Sequence, residues 1–350
     1  MGIFERIHQD NYEQIFFCHD RNVGLKAIIA MHSTALGPAT GGCRMWNYRS
    51  EDEALTDVLR LSKGMTYKAS ISNLPLGGGK SVIIGDASLK TPELLKRFGD
   101  FVETLSGNYI TAKDVGINSS DLKTIKSRTK HILGIAGETG SSGDPSPVTA
   151  WGVFNGMKAC AEKAFGTKSL KGSRVALQGL GAVNYHLAQH LHQEGAKLIG
   201  CDIAPQAVSR ATAEFGLEAV EPDSIYSVDC DIFSPGALGA ILNDHTIPAL
   251  KCKVVAGAAN NQLATENHGE VLLKRGITYA PDYAINAGGL INIFHEREGY
   301  NRDKAWSQVA EIYNTIKLVL ERSSAESLPT NVVANRVAEE RVRNADRARR

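Results

Sequence analysis

The first part of the chain alternates short apolar runs with longer segments whose apolar residues recur every three or four positions. The apolar runs predict buried strands at residues 25–31, 81–84 and 108–111. The helical period, with turn or capping residues at the ends, predicts helices over residues 51–64 and 92–105. This alternation indicates one α/β domain.

The second part begins after residues 137–147, a stretch rich in turn-forming residues that we interpret as a hinge between domains. A helix is predicted to begin near Val148. Strands alternating with helices, as in a doubly wound sheet, are predicted near residues 174, 197, 229 and 254. A long helical segment is predicted over residues 289–322, with a break at Leu328-Pro329 before a last helix.

Composition and charge exclude several classes of protein. Lys and Arg number 39 against 38 Asp and Glu, so the charge does not indicate binding to nucleic acid or to an anionic membrane. Six cysteines occur without a C-x-x-C pair, and Cys201 falls in a predicted buried strand, which indicates reduced thiols. No signal-like segment and no run long enough to span a bilayer is present. We therefore expect a soluble, cytoplasmic protein.

A glycine-rich turn joins a predicted strand to a predicted helix in the second part. The strand over residues 173–178 runs into Gly179-Leu-Gly-Ala-Val-Asn184. Gly179 permits a sharp turn, Gly181 lets the backbone approach a pyrophosphate, and the first amides of the helix face the anion. Asn184 replaces the usual Gly or Ala, so its side chain must turn aside or the helix must shift. An ordinary strand-to-helix turn is the alternative.

An acidic residue follows the next predicted strand, residues 197–201. Asp202 lies about twenty residues beyond the glycine turn, where a carboxylate accepts hydrogen bonds from the adenosine ribose hydroxyls. A carboxylate there repels a ribose phosphate, which favours NAD over NADP as the cofactor, although Arg210 keeps NADP open. Strand, glycines, helix, strand and acid in this order predict a dinucleotide site.

Two lysines stand in glycine-dense sequence, in Gly64-Met-Thr-Tyr-Lys68 and Leu76-Gly-Gly-Gly-Lys80. A lysine amine can bind a carboxylate, attack a carbonyl or act as a base, and two lysines suggest two separate roles. A P-loop is one alternative for Lys80, but Leu74 replaces a required glycine and residues 81–84 indicate a strand. A tight loop with solvated lysines is the other alternative.

Asp114 follows the predicted strand at 108–111, at the end where ligands gather in α/β folds. A carboxylate near two lysines can relay protons, and a surface carboxylate or helix cap is the alternative. His186 and His190 lie four positions apart on one predicted helix face, but no further ligand clusters with them. We therefore predict no metal site.

These patterns predict an α/β protein of two domains. Residues 1–136 form the expected substrate-binding domain, and residues 329–350 are a candidate for returning to it. Residues 145–328 form the expected Rossmann-type, doubly wound, dinucleotide-binding domain. We expect a cleft between the two domains, in which the dinucleotide and a small substrate meet.

Seven segments carry a resemblance to a known family that covers nearly the whole chain. They are Gly37-Pro-Ala-Thr-Gly-Gly-Cys-Arg-Met45, Lys63-Gly-Met-Thr-Tyr-Lys68, Leu76-Gly-Gly-Gly-Lys80, Ala112-Lys-Asp-Val-Gly116, Ser141-Ser-Gly-Asp-Pro-Ser-Pro147, Gly257-Ala-Ala-Asn-Asn-Gln262 and Pro281-Asp-Tyr-Ala-Ile-Asn-Ala-Gly-Gly289. The chain closely resembles the amino-acid dehydrogenases, which include leucine, phenylalanine, tryptophan and glutamate dehydrogenases. The resemblance implies reversible oxidative deamination of an L-amino acid to a 2-oxo acid and ammonia, with hydride passing to a nicotinamide.

The resemblance also implies a role for each matching residue. Lys68 binds the substrate carboxylate with Gly42 nearby. Lys80 deprotonates the water that attacks the iminium carbon, and Asp114 moves protons to and from the amino group. The other implied substrate-site residues are Thr40, Met65, Ala112, Asn261, Asn286, Leu290 and Ile293. The implied cofactor contacts are Thr149, Asn260 and Asn261 on the nicotinamide side, with Gly179, Gly181, Ala182, Val183 and Asp202.

Departures from the family pattern concern the substrate. Glutamate-selective members have Lys at Thr40 and Ser at Ile293, so no cation pairs with a distal carboxylate here and acidic substrates are disfavoured. Leucine dehydrogenases resemble the chain most along its length, yet they tend to have Leu at Thr40 and Val at Leu290. The small Thr40, a Leu290 as in phenylalanine-selective members, and Ala112 favour an aromatic substrate, with L-tryptophan, as in tryptophan dehydrogenases, before L-phenylalanine. Leucine is the alternative.

A non-catalytic, dinucleotide-sensing protein is a second class of function. Lys68, Lys80 and Asp114 together argue against it, because a protein without catalysis has little reason to keep such a set. The resemblance further implies a homo-oligomer, with residues 1–136 also serving as the oligomerisation domain and with a dimer as the default expectation.

Overall fold

The computed structural model describes residues 2–135, 137 and 140–349. They form two compact units. The first contains Met1–Gly143, Ile293–Tyr300 and Ala338–Arg350, and the second contains Asp144–Asn292 and Asn301–Val337. Each unit has its own sheet with helices, so the predicted α/β class is confirmed. The predicted domain end at residue 136 lies outside the described residues.

The elements before residue 144 follow the predicted alternation. The helices are α1 (Ile3–Asp10), α2 (Glu51–Ile71), α3 (Pro92–Thr104) and α4 (Ser119–Lys126). The strands are β1 (Gln14–Asp20), β2 (Leu25–Ser33), β3 (Ala39–Trp46), β4 (Gly77–Ile84) and β5 (Tyr109–Lys113). All five elements predicted in this part are present, with shifted ends.

The first sheet has the strand order β1-β2-β4-β3-β5. β2 runs antiparallel to β1 and β4, whereas β3 runs parallel to both β4 and β5. One side of the sheet packs on α3 and α4 through residues such as Phe98 and Ile125, both fully buried. Val58 of α2 is buried in a second cluster with Ile28 and Val82. The sheet therefore has a helix layer on each side, which supports strands β3 to β5 rigidly.

The glycine-dense segment before Lys80 is part of the strand, since β4 begins at Gly77 rather than at the predicted Ser81, so the alternative of a tight loop does not apply. Glycine is a weak strand former, but here the lack of a side chain permits close packing. A Cβ at Gly79 would lie 2.8 Å from the ring of Tyr109, and one at Gly78 would overlap Thr66 of α2. Tertiary packing therefore overrides local propensity, and Lys80 lies within a central strand.

Helix α2 is longer than the predicted helix, which ended at Gly64. Its start is set by Ser50, whose hydroxyl accepts the Glu53 N–H at 3.1 Å. Nothing lies within 4 Å of a Cβ placed on Gly64, so this glycine is a surface position within the helix, not its end. Lys68 therefore lies on a helix and not in a loop.

The elements from residue 144 on include the second sheet. The helices are α5 (Ser146–Phe165), α6 (Ala182–Glu194), α7 (Pro205–Phe215), α8 (His268–Lys274), α9 (Asp282–Ile285), α10 (Gly288–Phe294), α11 (Arg302–Ala310), α12 (Ile312–Glu326) and α13 (Thr330–Arg349). The strands are β6 (Arg174–Gln178), β7 (Lys197–Cys201), β8 (Glu218–Ala219), β9 (Ile232–Pro235), β10 (Val254–Val255) and β11 (Thr278–Tyr279).

The second sheet is parallel throughout, with the order β11-β10-β9-β6-β7-β8. The chain runs outward from β6 to β7 and β8, and then crosses to β9 on the other side. This reversal beside β6 is the switch point at which doubly wound sheets bind ligands, at the carboxyl ends of the strands. The predicted doubly wound arrangement is confirmed.

The helical segment predicted over residues 289–322 is not one helix. It consists of α10, a 3₁₀ turn at His295–Glu298, α11 and α12. Gly299 has a φ of +83°, and the Asn301 side chain accepts the Lys304 N–H at 3.0 Å, which caps α11. Apolar residues recur at helical spacing on both sides of this break, so periodicity alone predicted a single element. Among the described helices, none is both long and apolar enough to cross a membrane.

Candidate active site

Lys80 and Asp114 form an ion pair in the first sheet, on either side of β3. Lys80 lies in β4, and Asp114 directly follows β5. The Lys80 ammonium contacts Oδ2 of Asp114, and the two side chains are only 8% and 14% exposed. Oδ1 of Asp114 accepts the N–H of Val115 at 2.6 Å. The fold thus joins two residues that are 34 positions apart.

The surroundings keep the Asp114 carboxyl ionised. Burial alone raises its pKa, but the Lys80 ammonium, the Arg44 guanidinium and the Val115 N–H together hold the pKa below the ordinary value. An ionised carboxylate in direct contact with an ammonium group can exchange a proton with it or with a ligand.

Two glycines of β3 lie against this pair. A Cβ at Gly42 would lie 2.6 Å from the carbonyl oxygen of Lys113 and 2.9 Å from the Cβ of Asp114. A Cβ at Gly41 would overlap the carbonyl of Gly79 on β4. Only glycine fits at these positions. Because Gly42 has no side chain, Asp114 can lie close to β3.

Helix α2 presents Met65 and Lys68, which are three residues apart and therefore share a face. Met65 is half-buried, and its Cγ lies 3.4 Å from a Cβ placed on Gly41. This face of α2 is thus directed at the glycines of β3. The contacts of a substrate carboxylate with Lys68 and Gly42 stay a prediction.

The predicted side-chain pocket residues of the first unit occupy neighbouring strands. Thr40 of β3 is 1% exposed, and its hydroxyl donates to the carbonyl of Pro38 at 3.1 Å. Ala112 of β5 pairs directly with Gly42 and is buried. The Cγ2 of Ile293, at the end of α10, lies 3.8 Å from a Cβ placed on Gly134. The Thr40 oxygen keeps acceptor capacity, because its own hydrogen is engaged.

The glycine turn of the second unit has the backbone conformation that the sequence predicts. Gly179 has a φ of +82°, and a Cβ there would lie 2.8 Å from that of Ala237. Gly181 has open space where a Cβ would be, and it directly precedes Ala182 and Val183 in the first turn of α6. In the described residues no side chain caps this helix start, so its amides can face a pyrophosphate.

Asp202 lies beside the glycine turn at the end of β7. Its Oδ2 accepts the N–H of Leu180 at 2.6 Å, and its Oδ1 accepts the N–H of Ala204 at 2.8 Å. The carboxylate is therefore fixed next to the turn, as ribose recognition requires. These residues fit a nicotinamide dinucleotide. Arg210 instead stacks on Tyr185, 3.6 Å from the ring centroid.

Asn184 turns back into the loop that precedes it. Its amide donates to the carbonyl of Gly179 at 2.8 Å, and the side chain is 1% exposed. Space for it exists because Gly236 lies opposite, where a Cβ would overlap the Asn184 amide. The unusual third position thus stabilises the glycine turn, which the sequence pattern did not reveal.

Three of the predicted ligand contacts lie around the loop after β10. The amide of Asn286 donates to the carbonyl of Ala258 at 3.0 Å and to Oδ1 of Asn260 at 2.8 Å. Oδ1 of Asn286 is buried and has no partner among the described residues, so it can accept an N–H from a ligand. Asn261, which follows Asn260 in the chain, has a φ of +52°. Its contact with a ligand stays a prediction.

Thr149 lies in the first turn of α5, beside the start of α10. A Cβ at Gly289 would lie 3.2 Å from the Thr149 hydroxyl, and one at Gly288 would lie 2.9 Å from the Thr149 Cα. This close approach places Thr149 near Leu290, the next residue of α10, which is buried. The predicted roles of both residues stay predictions.

His190, one of the two histidines on one face of α6, packs against aromatic rings of α5. The His190 ring lies 5.3 Å from Trp151 and 5.4 Å from Phe154, measured between centroids. Burial lowers the pKa of His190, which favours the neutral ring. In the described part of the chain, no three His, Cys, Asp or Glu side chains are grouped as metal ligands.

Arg44 and Asp57 were not predicted from the sequence. Arg44 lies 3.6 Å from Asp114 and 2.9 Å from Asp57. The motif that contains Arg44 was recognised, but nothing local in it indicates a contact with a carboxylate 70 positions away. Only the order of the strands reveals that neighbour.

Two family profiles and a full-length relative match this chain, and all three belong to the same family of dehydrogenases. A family profile described as Glu/Leu/Phe/Val dehydrogenase, dimerisation domain, matches residues 12–131, and one described as Glutamate/Leucine/Phenylalanine/Valine dehydrogenase matches residues 139–204 and 203–350. Leucine dehydrogenase from Geobacillus stearothermophilus is 53% identical over 350 residues, which cover 100% of this chain and 95% of the relative.

Similarity to tryptophan dehydrogenases is also extensive. L-tryptophan dehydrogenase from Nostoc punctiforme is 47% identical over 350 residues, which cover 100% of this chain and 98% of the relative. The crystal structure of L-tryptophan dehydrogenase from Nostoc punctiforme matches with a TM-score of 0.90 and 46% identity, over 99% of this chain and 100% of that chain.

Proposed function

Given that this chain belongs to the Glu/Leu/Phe/Val dehydrogenase family, an assignment that the sequence motifs had predicted, we propose that it deaminates an apolar L-amino acid oxidatively and reversibly, with NAD as cofactor. The chain is thus an oxidoreductase that acts on the CH–NH₂ group of an amino acid. The products are the 2-oxo acid, ammonia and NADH. The buried Lys80–Asp114 pair is the observation that carries this proposal.

In the proposed mechanism, Lys68, Asp114 and Lys80 have separate roles. Lys68 binds the substrate carboxylate, and Asp114 takes a proton from the substrate ammonium, whose nitrogen keeps the electron pair. A bound NAD would supply the acceptor for the hydride from Cα. A neutral Lys80 then takes a proton from the water that attacks the iminium carbon. Asp114 returns its proton to the amino nitrogen of the resulting carbinolamine, and it takes the hydroxyl proton as ammonia leaves and the carbonyl forms. The contact between Lys80 and Asp114 supports proton exchange between them.

NAD is proposed over NADP because of Asp202. Both carboxylate oxygens are fixed by backbone N–H groups beside the glycine turn, so the negative charge cannot turn away from a ribose phosphate. The Arg210 guanidinium lies over Tyr185. It would have to leave this ring to pair with a ribose phosphate.

An aromatic side chain, L-tryptophan before L-phenylalanine, is our proposed substrate preference. Thr40 and Ala112 are small residues on adjacent strands, and the Thr40 oxygen can accept an indole N–H. Leucine is the second candidate, favoured by 53% identity to a leucine dehydrogenase against 47% to a tryptophan dehydrogenase. Thr40 occupies the position at which glutamate-selective members have a lysine. No cation at this position can pair with the side-chain carboxylate of glutamate, which disfavours that substrate.

Initial rates of NADH formation with L-tryptophan, L-phenylalanine, L-leucine and L-glutamate test the proposal, with NADP in parallel. Lys80→Ala is compared with Lys113→Ala, which removes an exposed lysine near the same carboxylate. We expect turnover that Lys80→Ala abolishes and Lys113→Ala retains. A higher kcat/KM for leucine would overturn the aromatic preference but not the mechanism. No turnover with any amino acid would favour a non-catalytic, dinucleotide-binding protein.

The assembly is proposed to be a homo-oligomer built from dimers. The profile that matches residues 12–131 is described as a dimerisation domain, which supports this proposal. Phe17 and Trp46 of the same region are 58% and 53% exposed, and apolar side chains of this size often mark contact surfaces.

A further inference from the structure

Strand β3, which separates Lys80 from Asp114, carries a third charged side chain, Arg44. The N–H of Met45 donates to the carbonyl of Val115 at 2.9 Å, so Arg44 lies beside Asp114 across the two strands. Its Nη2 is 3.6 Å from Oδ1 of Asp114. The Lys80 ammonium contacts the other oxygen, Oδ2. The two oxygens of this carboxylate thus face two different cations.

The guanidinium of Arg44 is itself fixed by a carboxylate of α2. Nη1 donates to Oδ2 of Asp57 at 2.9 Å, and the same oxygen accepts the Tyr48 hydroxyl at 2.7 Å. Arg60 donates to Oδ1 of Asp57 at 3.1 Å. Three donors hold Asp57, and Asp57 holds one edge of the planar guanidinium. The Nη2 edge is therefore directed at Asp114 with little rotational freedom.

Charges around Asp114 come from each strand packed against it. Lys80 from β4 and Arg44 from β3 contact it, and the buried Cys43 of β3 and Tyr109 of β5 interact with its charge without a direct contact. Burial disfavours a charged Arg44, but the carboxylates of Asp114 and Asp57 raise its pKa above the ordinary value overall. Arg44 is therefore a permanent cation.

A permanent cation matters because Lys80 must be neutral before it can take a proton from water in its proposed role. When Lys80 is neutral, Asp114 loses the electrostatic partner on Oδ2. Arg44 remains charged at that stage, since a guanidinium is not deprotonated in proteins. It therefore stabilises the buried carboxylate in both states of Lys80.

Resting on the proposed function, we propose that Arg44 is a positioning residue that holds the Asp114 carboxylate ionised and oriented for proton transfer, with Asp57 and Tyr48 as its anchor. In this transfer an N–H bond of the substrate ammonium breaks, an O–H bond forms on Asp114, and the electron pair stays on nitrogen. Arg44 itself gains or loses no proton.

The pH dependence of kcat/KM for amino-acid deamination tests this role. Arg44→Met removes a cation next to Asp114, which favours the protonated carboxyl. The active base is then lost at higher pH, and the acidic limb moves up by about one pH unit. Arg44→Lys keeps the positive charge but lacks the planar guanidinium group. We therefore expect the acidic limb to stay in place and kcat to fall about tenfold. In the control variant, Lys113→Met, we expect the acidic limb and kcat to be unchanged.

The outcomes separate this inference from the proposed function. A folded Arg44→Met variant whose acidic limb stays in place would overturn the role of Arg44. If that variant does not fold, a full wild-type kcat in Arg44→Lys overturns it, and a lower kcat with an unmoved limb supports it. If the unaltered protein turns over no amino acid, the proposed function fails. The titration of the Asp114 carboxyl, followed by ¹³C NMR in Arg44→Lys and Arg44→Met, then still tests the electrostatic contact.

Discussion

Gly42 occupies a position on β3 where a methyl group has no room. A Cβ there would lie 2.6 Å from the carbonyl oxygen of Lys113 and 2.9 Å from the Cβ of Asp114. Gly42→Ala must therefore displace Asp114, and we expect kcat/KM to fall about 100-fold, because small displacements of reacting groups are costly.

Gly64→Ala is the matched control for Gly42→Ala. It adds a methyl group on α2 with nothing within 4 Å. We expect unchanged kinetics and a gain of about 1 kcal/mol in the free energy of unfolding, measured by urea denaturation. Full activity of a folded Gly42→Ala variant would contradict the close coupling between Gly42 and Asp114.

His32 links stability to pH at the scale of a single residue. Its Nε2–H donates to the carbonyl of Asp10 at 3.1 Å, and its Nδ1 accepts the Thr66 hydroxyl at 2.8 Å. Burial lowers the pKa of His32 to about 4, from the ordinary 6.5. Between these values the unfolded chain binds the additional proton, so folding stability decreases as pH falls, by about 3 kcal/mol in total.

We expect His32→Gln to remove this part of the pH dependence, because a glutamine side chain cannot titrate. His19→Gln, which alters an exposed histidine on β1, is the control. Urea unfolding measured between pH 4 and 7 distinguishes them. Equal slopes of unfolding free energy against pH in the two variants would show that His32 does not carry this effect.

At the scale of elements, the last turns of α2 depend on α13. The Ser70 hydroxyl donates to the carbonyl of Ala338 at 2.8 Å, and the Arg341 guanidinium donates to the carbonyl of Ser70. The Tyr67 hydroxyl donates to Glu339 at 2.6 Å. These contacts flank Lys68, so we expect α13 to fix the helix end that is proposed to bind the substrate carboxylate.

Arg341→Met tests this dependence against Arg343→Met, which removes an exposed arginine from the same helix. Loss of a charged donor is expected to cost about 2 kcal/mol of unfolding free energy. It should also accelerate amide exchange near the end of α2 and raise KM for the amino acid more than KM for NAD. Equal effects on both KM values would indicate a general loss of structure instead.

At the scale of the whole molecule, the two units differ in how many segments of the chain they combine. The first combines three segments, Met1–Gly143, Ile293–Tyr300 and Ala338–Arg350, whereas the second combines two. The dinucleotide fingerprint lies within about thirty consecutive residues of the second unit, in the usual span of such a motif. The charged groups of the first unit come from β3, β4, β5 and α2, which are far apart in sequence.

This difference explains how much the sequence alone determined. The strand, glycine turn, helix and Asp202 of the second unit were predictable because each follows from local periodicity and turn chemistry. Lys68, Lys80 and Asp114 were identified as candidates by residue type and by family resemblance. The predicted helix and strand stopped short of Lys68 and Lys80, because glycine is a weak former of both structures when its packing partners are unknown.

Only the tertiary structure decided which of these residues meet. The order β4-β3-β5 brings Lys80, Arg44 and Asp114 side by side, and no local signal encodes that order. The position of the Asn184 side chain against the glycine turn also depends on a neighbour distant in the chain, Gly236, which leaves space for it. Periodicity reports which face of an element is buried, whereas strand pairing and close packing determine what lies opposite that face.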